Sequence, residues 1–147
     1  MHIALGCDQR GLKTKQEIMR LLPTLNHTYR DFGCYGVDPV DYPDIAQQVG
    51  AAVASGEFAR GILICSTGIG MSIAANKIKG IRAALCHAAF AAQRAREHND
   101  ANILCLGGED VDIDSALKIV ETYLDTDFEG GRHIPRLDKI KALEANS

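Results

Sequence analysis

The chain has 147 residues, 46% of them hydrophobic and 5% aromatic, and a net charge of −3. That length carries one domain with one core, and the weak negative charge with few stacking side chains argues against a nucleic-acid surface. No apolar run reaches the roughly 18 residues of a membrane span, Met1-His2-Ile3 lacks signal-peptide character, and Cys7, Cys34, Cys65, Cys86 and Cys105 form no Cys-x-x-Cys pair, so a soluble, cytoplasmic chain with reduced thiols is expected.

Short apolar runs alternate with helical segments, which predicts βαβ units and a mainly parallel sheet covered on both faces. Ile3–Cys7 reads as the first strand, followed by a helix from about Gly11 to Leu22 that Pro23 helps to end, and then a strand over Thr28–Phe32. After a turn-rich stretch over 33–39, Asp41 caps a helix with Pro43 in its first turn, Ile45, Val49 and Val53 on one face, and Gly56 just beyond its end. Gly61-Ile62-Leu63-Ile64-Cys65 has the continuous apolarity of a central strand and opens into a small-residue loop, then a helix from Met71 to Lys77. Ile81–Cys86 and Asn102–Leu106 are the last strands, with helices over 88–97, 114–124 and, starting near Arg132 or Pro135, to about Glu144. The expected fold is a single-domain three-layer α/β/α sandwich over 1–147, Rossmann-like, with a five-stranded parallel sheet. Sheets of that kind bind ligands at the carboxyl ends of their strands.

Cys65-Ser66-Thr67-Gly68-Ile69-Gly70 is the strongest local signal. Its glycines allow a close backbone approach, and the amides of the following helix can stabilise a phosphate or a developing oxyanion; the same residues serve equally as a tight strand-to-helix turn. A dinucleotide fingerprint is excluded because Ile73 stands where the third glycine belongs, and a phosphate-binding Gly-Lys-Ser/Thr is missing. Cys65, beside a helix N-terminus, is a candidate base, against the ordinary reading of a small core residue. His98 ends a polar helix and suits proton transfer near neutral pH, although a surface histidine is the commoner case. Asp8 is either a ligand-facing carboxylate or a helix cap. Arg132 and Arg136, four apart, would share a helix face and clamp a phosphate if the helix has begun by Arg132; the alternative is a solvated basic face.

Gly6-Cys7-Asp8, Asp31-Phe32-Gly33, Asp41-Tyr42-Pro43, Gly61 to Cys65, Ser72 to Lys77, Gly80-Ile81-Arg82-Ala83, Arg96 to Asn102 and Glu129 to His133 occur in order along the chain. Together they resemble the B-type ribose-5-phosphate isomerase family, which also includes galactose- and allose-6-phosphate isomerases. The resemblance implies aldose–ketose isomerisation of a sugar phosphate through a cis-enediolate, in carbohydrate metabolism of the pentose phosphate type, without metal or organic cofactor. It implies Cys65 as the base between C1 and C2, with Thr67 and the backbone of Ser66, Gly68, Ile69 and Gly70 holding the enediolate oxygens. His98 would open the sugar ring with Asp8 taking the hydroxyl proton, Asn99 would bind the sugar, and Arg132 and Arg136 the phosphate. It further implies a homodimer, or a dimer of dimers, with the His98–Asn99 pair supplied by the neighbouring subunit.

Two positions depart from the family pattern. Gln9 stands where a histidine is usual, and Glu109 where an arginine usually contacts the phosphate. Like charges about 5 Å apart at an effective dielectric near 20 repel by about 3 kcal/mol, so Glu109 puts the substrate's name in question, with Arg10 as a compensating cation. Ribose 5-phosphate is the first expectation. The alternatives are an allose, galactose or tetrose phosphate, a free sugar contacted by Gln9 and Glu109, or a non-catalytic phosphosugar-binding subunit.

Overall fold

Ile62 and Ile64 belong to one face of their strand, Leu63 and Cys65 to the other, and all four are buried. A strand apolar on both sides needs a layer of helices on each. The computed structural model describes residues 1–146 and has this organisation, with β1 (His2–Cys7), β2 (Thr28–Asp31), β3 (Arg60–Cys65), β4 (Ala83–Leu85) and β5 (Ile103–Gly107) in one parallel sheet ordered β2-β1-β3-β5-β4. Helices α1 (Leu12–Thr24), α4 (Ala89–Asn99) and α5 (Ile113–Asp125) bury Ile18, Leu22, Ala92, Ala95, Ile119 and Tyr123 against Leu5, Ile62, Ile64 and Leu106. On the other face α2 (Tyr42–Ala54) and α3 (Ile69–Ala75) bury Ile45, Val49, Val53, Met71 and Ala75 against Leu63, Cys65 and Cys105. The last helix, α6 (Ile134–Ala145), buries no residue of its own.

The five expected strands and six helices are all present, with shifted ends. Pro23 lies inside the last turn of α1, which runs one residue past it. Asp41 occupies the position before α2, but its carbonyl, not its carboxylate, accepts a hydrogen bond, from the Asp44 amide at 3.1 Å. The helix expected over 71–77 starts earlier, at Ile69, and stops at Ala75. β4 is only Ala83–Leu85, and Asn76 covers the outer edge at its first residue, the side chain accepting from the Ala83 amide (2.8 Å) and donating to its carbonyl (2.9 Å). The amide just ahead of the strand, that of Arg82, donates to Asn102 Oδ1 at 2.8 Å and not to a backbone carbonyl.

Chain direction reverses at β1 and β3: the connection through α1 leads outward to β2, and the one through α2 returns across β1. Register then aligns Cys7 with Ile64 and Cys65 with Gly107, so Asp8, Cys65 and Gly108 gather at one rim. Ligands of open α/β sheets lie in such a crevice. No helix among the described residues is long and apolar enough to cross a membrane.

Candidate active site

A cleft of about 460 Å³ opens at this rim, with Asp8, Arg10, Tyr42, Cys65, Thr67 and Gly70 in its wall. Ser66, Ile69 and Ile73 complete the lining, so most of the Cys65–Gly70 segment faces it. Cys65 is 5% exposed at the last position of β3, and its Sγ accepts the Gly68 amide at 3.2 Å. The strand thus delivers a thiol to the cleft floor, and the loop turns a donor toward it. Gly68 has φ +81°, and a Cβ there would stand 2.6 Å from the Leu85 side chain and 2.8 Å from the Leu106 backbone. Both the left-handed conformation and the close approach demand glycine. At Gly70 a Cβ would stand 2.5 Å from the Tyr42 ring, which walls the cleft from α2. Thr67 Oγ1 accepts the Ile69 amide at 3.2 Å.

Asp8 caps a turn and stands in the cleft wall. Its carboxylate accepts the Arg10 amide at 3.0 Å, capping the short 3-10 turn Gln9–Gly11, and it also lines the cleft. Burial pushes the carboxyl above the usual aspartate range, and the amides of Arg10 and Gly11 pull it part of the way back. A carboxylate with a raised pKa binds its proton more tightly in the folded chain than in the unfolded one. Ionising it therefore lowers stability as pH rises through its folded pKa. Asp8→Asn, which retains an acceptor for the cap, is expected to melt higher than the parent at neutral pH. Thermal scans should show that gain shrinking as pH falls below the Asp8 pKa, where the parent is also uncharged.

Gln9 does not project into the cleft wall; its Oε1 accepts the Val40 amide at 3.1 Å and ties down the loop ahead of α2. Glu109 stands at the cleft's edge, where its amide donates to the Ser66 carbonyl at 3.0 Å. Hydrogen bonds from the Ser66 hydroxyl and from Arg10 hold its carboxyl below the usual glutamate range. Arg10 Nη1 meets Glu109 Oε1 at 3.1 Å, with both side chains about half exposed. The cation that could compensate for Glu109 is thus already paired with it, although solvent screens an exposed pair of this kind.

The other expected residues lie elsewhere in the chain. α4 runs 11 residues away from the rim, about 16 Å, and leaves His98 and Asn99 at the opposite end of the sheet, where Asn99 lines a second groove of about 750 Å³ with Arg82 and Lys141. Arg132 and Arg136 are both exposed, and the shared helix face is not formed: Arg132 sits in a 3-10 turn, Gly131–His133, and α6 begins only at Ile134. The left-handed Gly130 and Gly131 (φ +70° and +55°) delay the helix start. Two residues without an assigned role emerge here. Tyr42, a cleft wall, was visible as the first residue of a helix that follows a parallel strand, a position that always falls on this rim. His133, packed on His98 with ring centroids 4.4 Å apart, lay in the Glu129–His133 segment of the resemblance but received no role from it.

A parallel α/β sheet with a thiol, a buried carboxylate and a glycine turn at its switch point defines a small-molecule enzyme of the doubly wound class. The chain belongs to the ribose/galactose isomerase family, whose model matches residues 3–140. It is 46% identical over 142 residues to ribose-5-phosphate isomerase B of Escherichia coli, covering 97% of this chain and 95% of that one. The structure of Clostridium thermocellum ribose-5-phosphate isomerase B superposes with a TM-score of 0.98 at 50% identity, covering 99% of each chain. That of the Mycoplasma genitalium enzyme with bound ribulose-5-phosphate gives 0.95 at 40% identity, covering 99% of this chain and 97% of that one.

Proposed function

We propose that the chain is a single-domain aldose–ketose isomerase that interconverts ribose 5-phosphate and ribulose 5-phosphate. The observation that carries this reading is the Cys65 thiol at the end of β3, facing a cleft beside the Thr67–Gly70 turn and Asp8. As a thiolate Cys65 removes the proton from C2 of the open-chain aldose. The electron pair moves to the carbonyl, forming a cis-enediolate, and the same proton equivalent returns to C1 while a hydroxyl proton passes between O2 and O1. The step is an internal redox exchange and balances without an external oxidant. Thr67 and the backbone of Ser66, Gly68, Ile69 and Gly70 meet the enediolate oxygens, an effect of about 3–4 kcal/mol for an important donor.

Ring opening falls to His98, with Asp8 accepting the hydroxyl proton, and Asn99, Arg132 and Arg136 bind the sugar and its phosphate. Within one chain His98 and Asn99 stand at the far end of α4 from Cys65 and Asp8, so the reading requires a homodimer or dimer of dimers in which a neighbour supplies His98 and Asn99. Ile69 and Ile73, 50% and 58% exposed on α3 beside the cleft, offer apolar surface for that neighbour. α6 offers more through Ile140 and Leu143, 47% and 73% exposed. The five cysteines are free and buried, which fits a reducing cytoplasm.

The Arg10–Glu109 pair favours a second reading, in which a sugar phosphate of another length or a free sugar is the better substrate. An assay across ribose, allose, galactose and erythrose phosphates and the matching free sugars decides between them, and turnover of any of these by the purified homo-oligomer excludes a non-catalytic role. Glu109→Arg run in parallel removes the repelling anion and frees Arg10. With ribose 5-phosphate its kcat/KM is expected to rise about tenfold or more, chiefly through KM. An unchanged value would put Glu109 outside the phosphate site.

A further inference from the structure

Among the described residues, the turn that delays α6 buries a histidine whose Nε2 makes no hydrogen bond and faces only the Glu129 carboxylate. His133 is 3% exposed, and its Nε2 has no hydrogen-bond partner among the described residues. A buried polar nitrogen left without a hydrogen bond is costly, and in native chains such a group calls for an explanation, a bound ion among them. Glu129 Oε2 lies 3.4 Å from it, and the His98 ring stacks on the His133 ring at 19°. One ligand atom from each of the three side chains lies within 4.8 Å of the others.

We propose that His98, Glu129 and His133 form a binding site for a divalent transition-metal ion of the zinc type, which takes His98 as a ligand and so acts as an inhibitor rather than a cofactor. Two imidazoles and one carboxylate are zinc donors and leave a fourth position open; imidazole donors disfavour calcium and magnesium. Metal–ligand bonds of about 2.0–2.2 Å in tetrahedral array put neighbouring donors about 3.3–3.5 Å apart, which the His133–Glu129 pair at 3.4 Å already satisfies. His98 completes the set by turning out of the stack, which its half-exposed place in the last turn of α4 allows. The frame is braced beforehand: the Glu129 amide donates to the Glu97 carbonyl at 3.1 Å, beside His98, and the His133 amide to the Gly130 carbonyl at 3.1 Å. Glu97 itself is occupied by Arg94 at 2.7 Å, so Glu129 is the available carboxylate.

The test is calorimetric titration of Zn²⁺ into the chelator-treated full-length protein, with histidine ring resonances followed by NMR. One zinc per chain is expected, with His98 and His133 perturbed while His2, His27 and His87 are unaffected. Glu129→Gln, at an exposed position that leaves folding intact, and His133→Gln should each weaken binding about tenfold or more. No binding, parental affinity in both variants, or a response confined to the other histidines overturns the site. The inhibition rests on the ring-opening reading of His98 and is separable from the binding. Zinc at saturating concentration should slow turnover of cyclic ribose 5-phosphate and spare the open-chain erythrose 4-phosphate. Binding without that difference would overturn the role of His98 and leave the metal site standing.

Discussion

Cys65→Ala is expected to lower kcat on ribose 5-phosphate by about four orders of magnitude, the upper range for removal of a general base, and to abolish exchange of the C2 hydrogen with solvent. No other described group in the cleft substitutes for it. Asp8 is engaged with the Arg10 amide, and Thr67 Oγ1 accepts from the Ile69 amide. The loss should appear in kcat and kcat/KM alike, because the thiolate acts on the bound open chain and not on binding. Circular dichroism and the melting temperature should change little, since alanine deletes one small sulfur at the strand's end. Deuterium entering C2 at the parent rate in this variant would remove Cys65 from the base role.

The central sheet was legible because residues 3–7 of β1, 61–65 of β3 and 103–107 of β5 are buried and carry no charged or polar side chain other than thiols. β4 was overdrawn at its start, where periodicity does not record that the Asn102 side chain takes the Arg82 amide. Strand order was not legible at all, because β3 and β5 pair across the 37 intervening residues, 66–102, that include β4 and nothing local encodes that choice. At the site, the glycine turn after Cys65 could be read from sequence since the requirement at Gly68 is local. The Arg10–Glu109 pair joins positions 99 residues apart, so the resemblance flagged Glu109 as a lost cation while the structure shows it already matched by one. Likewise, two arginines spaced by four implied a shared face, and the left-handed Gly130 and Gly131 cancelled it by postponing the helix.

The separation of Cys65 from His98 along α4 leads to the sharpest test of the assembly. His98→Asn should leave isomerisation of the open chain intact and slow ring opening of ribose 5-phosphate by about 10²-fold or more, whereas Cys65→Ala stops the proton transfer itself. Neither homo-oligomer then turns over the cyclic substrate at an appreciable rate. In mixed dimers, one interface joins a parental Cys65 to a parental His98 and the other carries both lesions. Random exchange puts half of the dimers in the mixed form with one intact site in two, so activity should recover to about a quarter of the parent. Refolding or coexpressing the two variants together and assaying ribose 5-phosphate measures this directly. If His98 served the Cys65 of its own chain, every site in the mixture would carry one lesion, and the activity would remain the average of the two inactive parents. A geometry that places the two groups at opposite ends of one sheet therefore predicts a recovery that no single-chain site can produce.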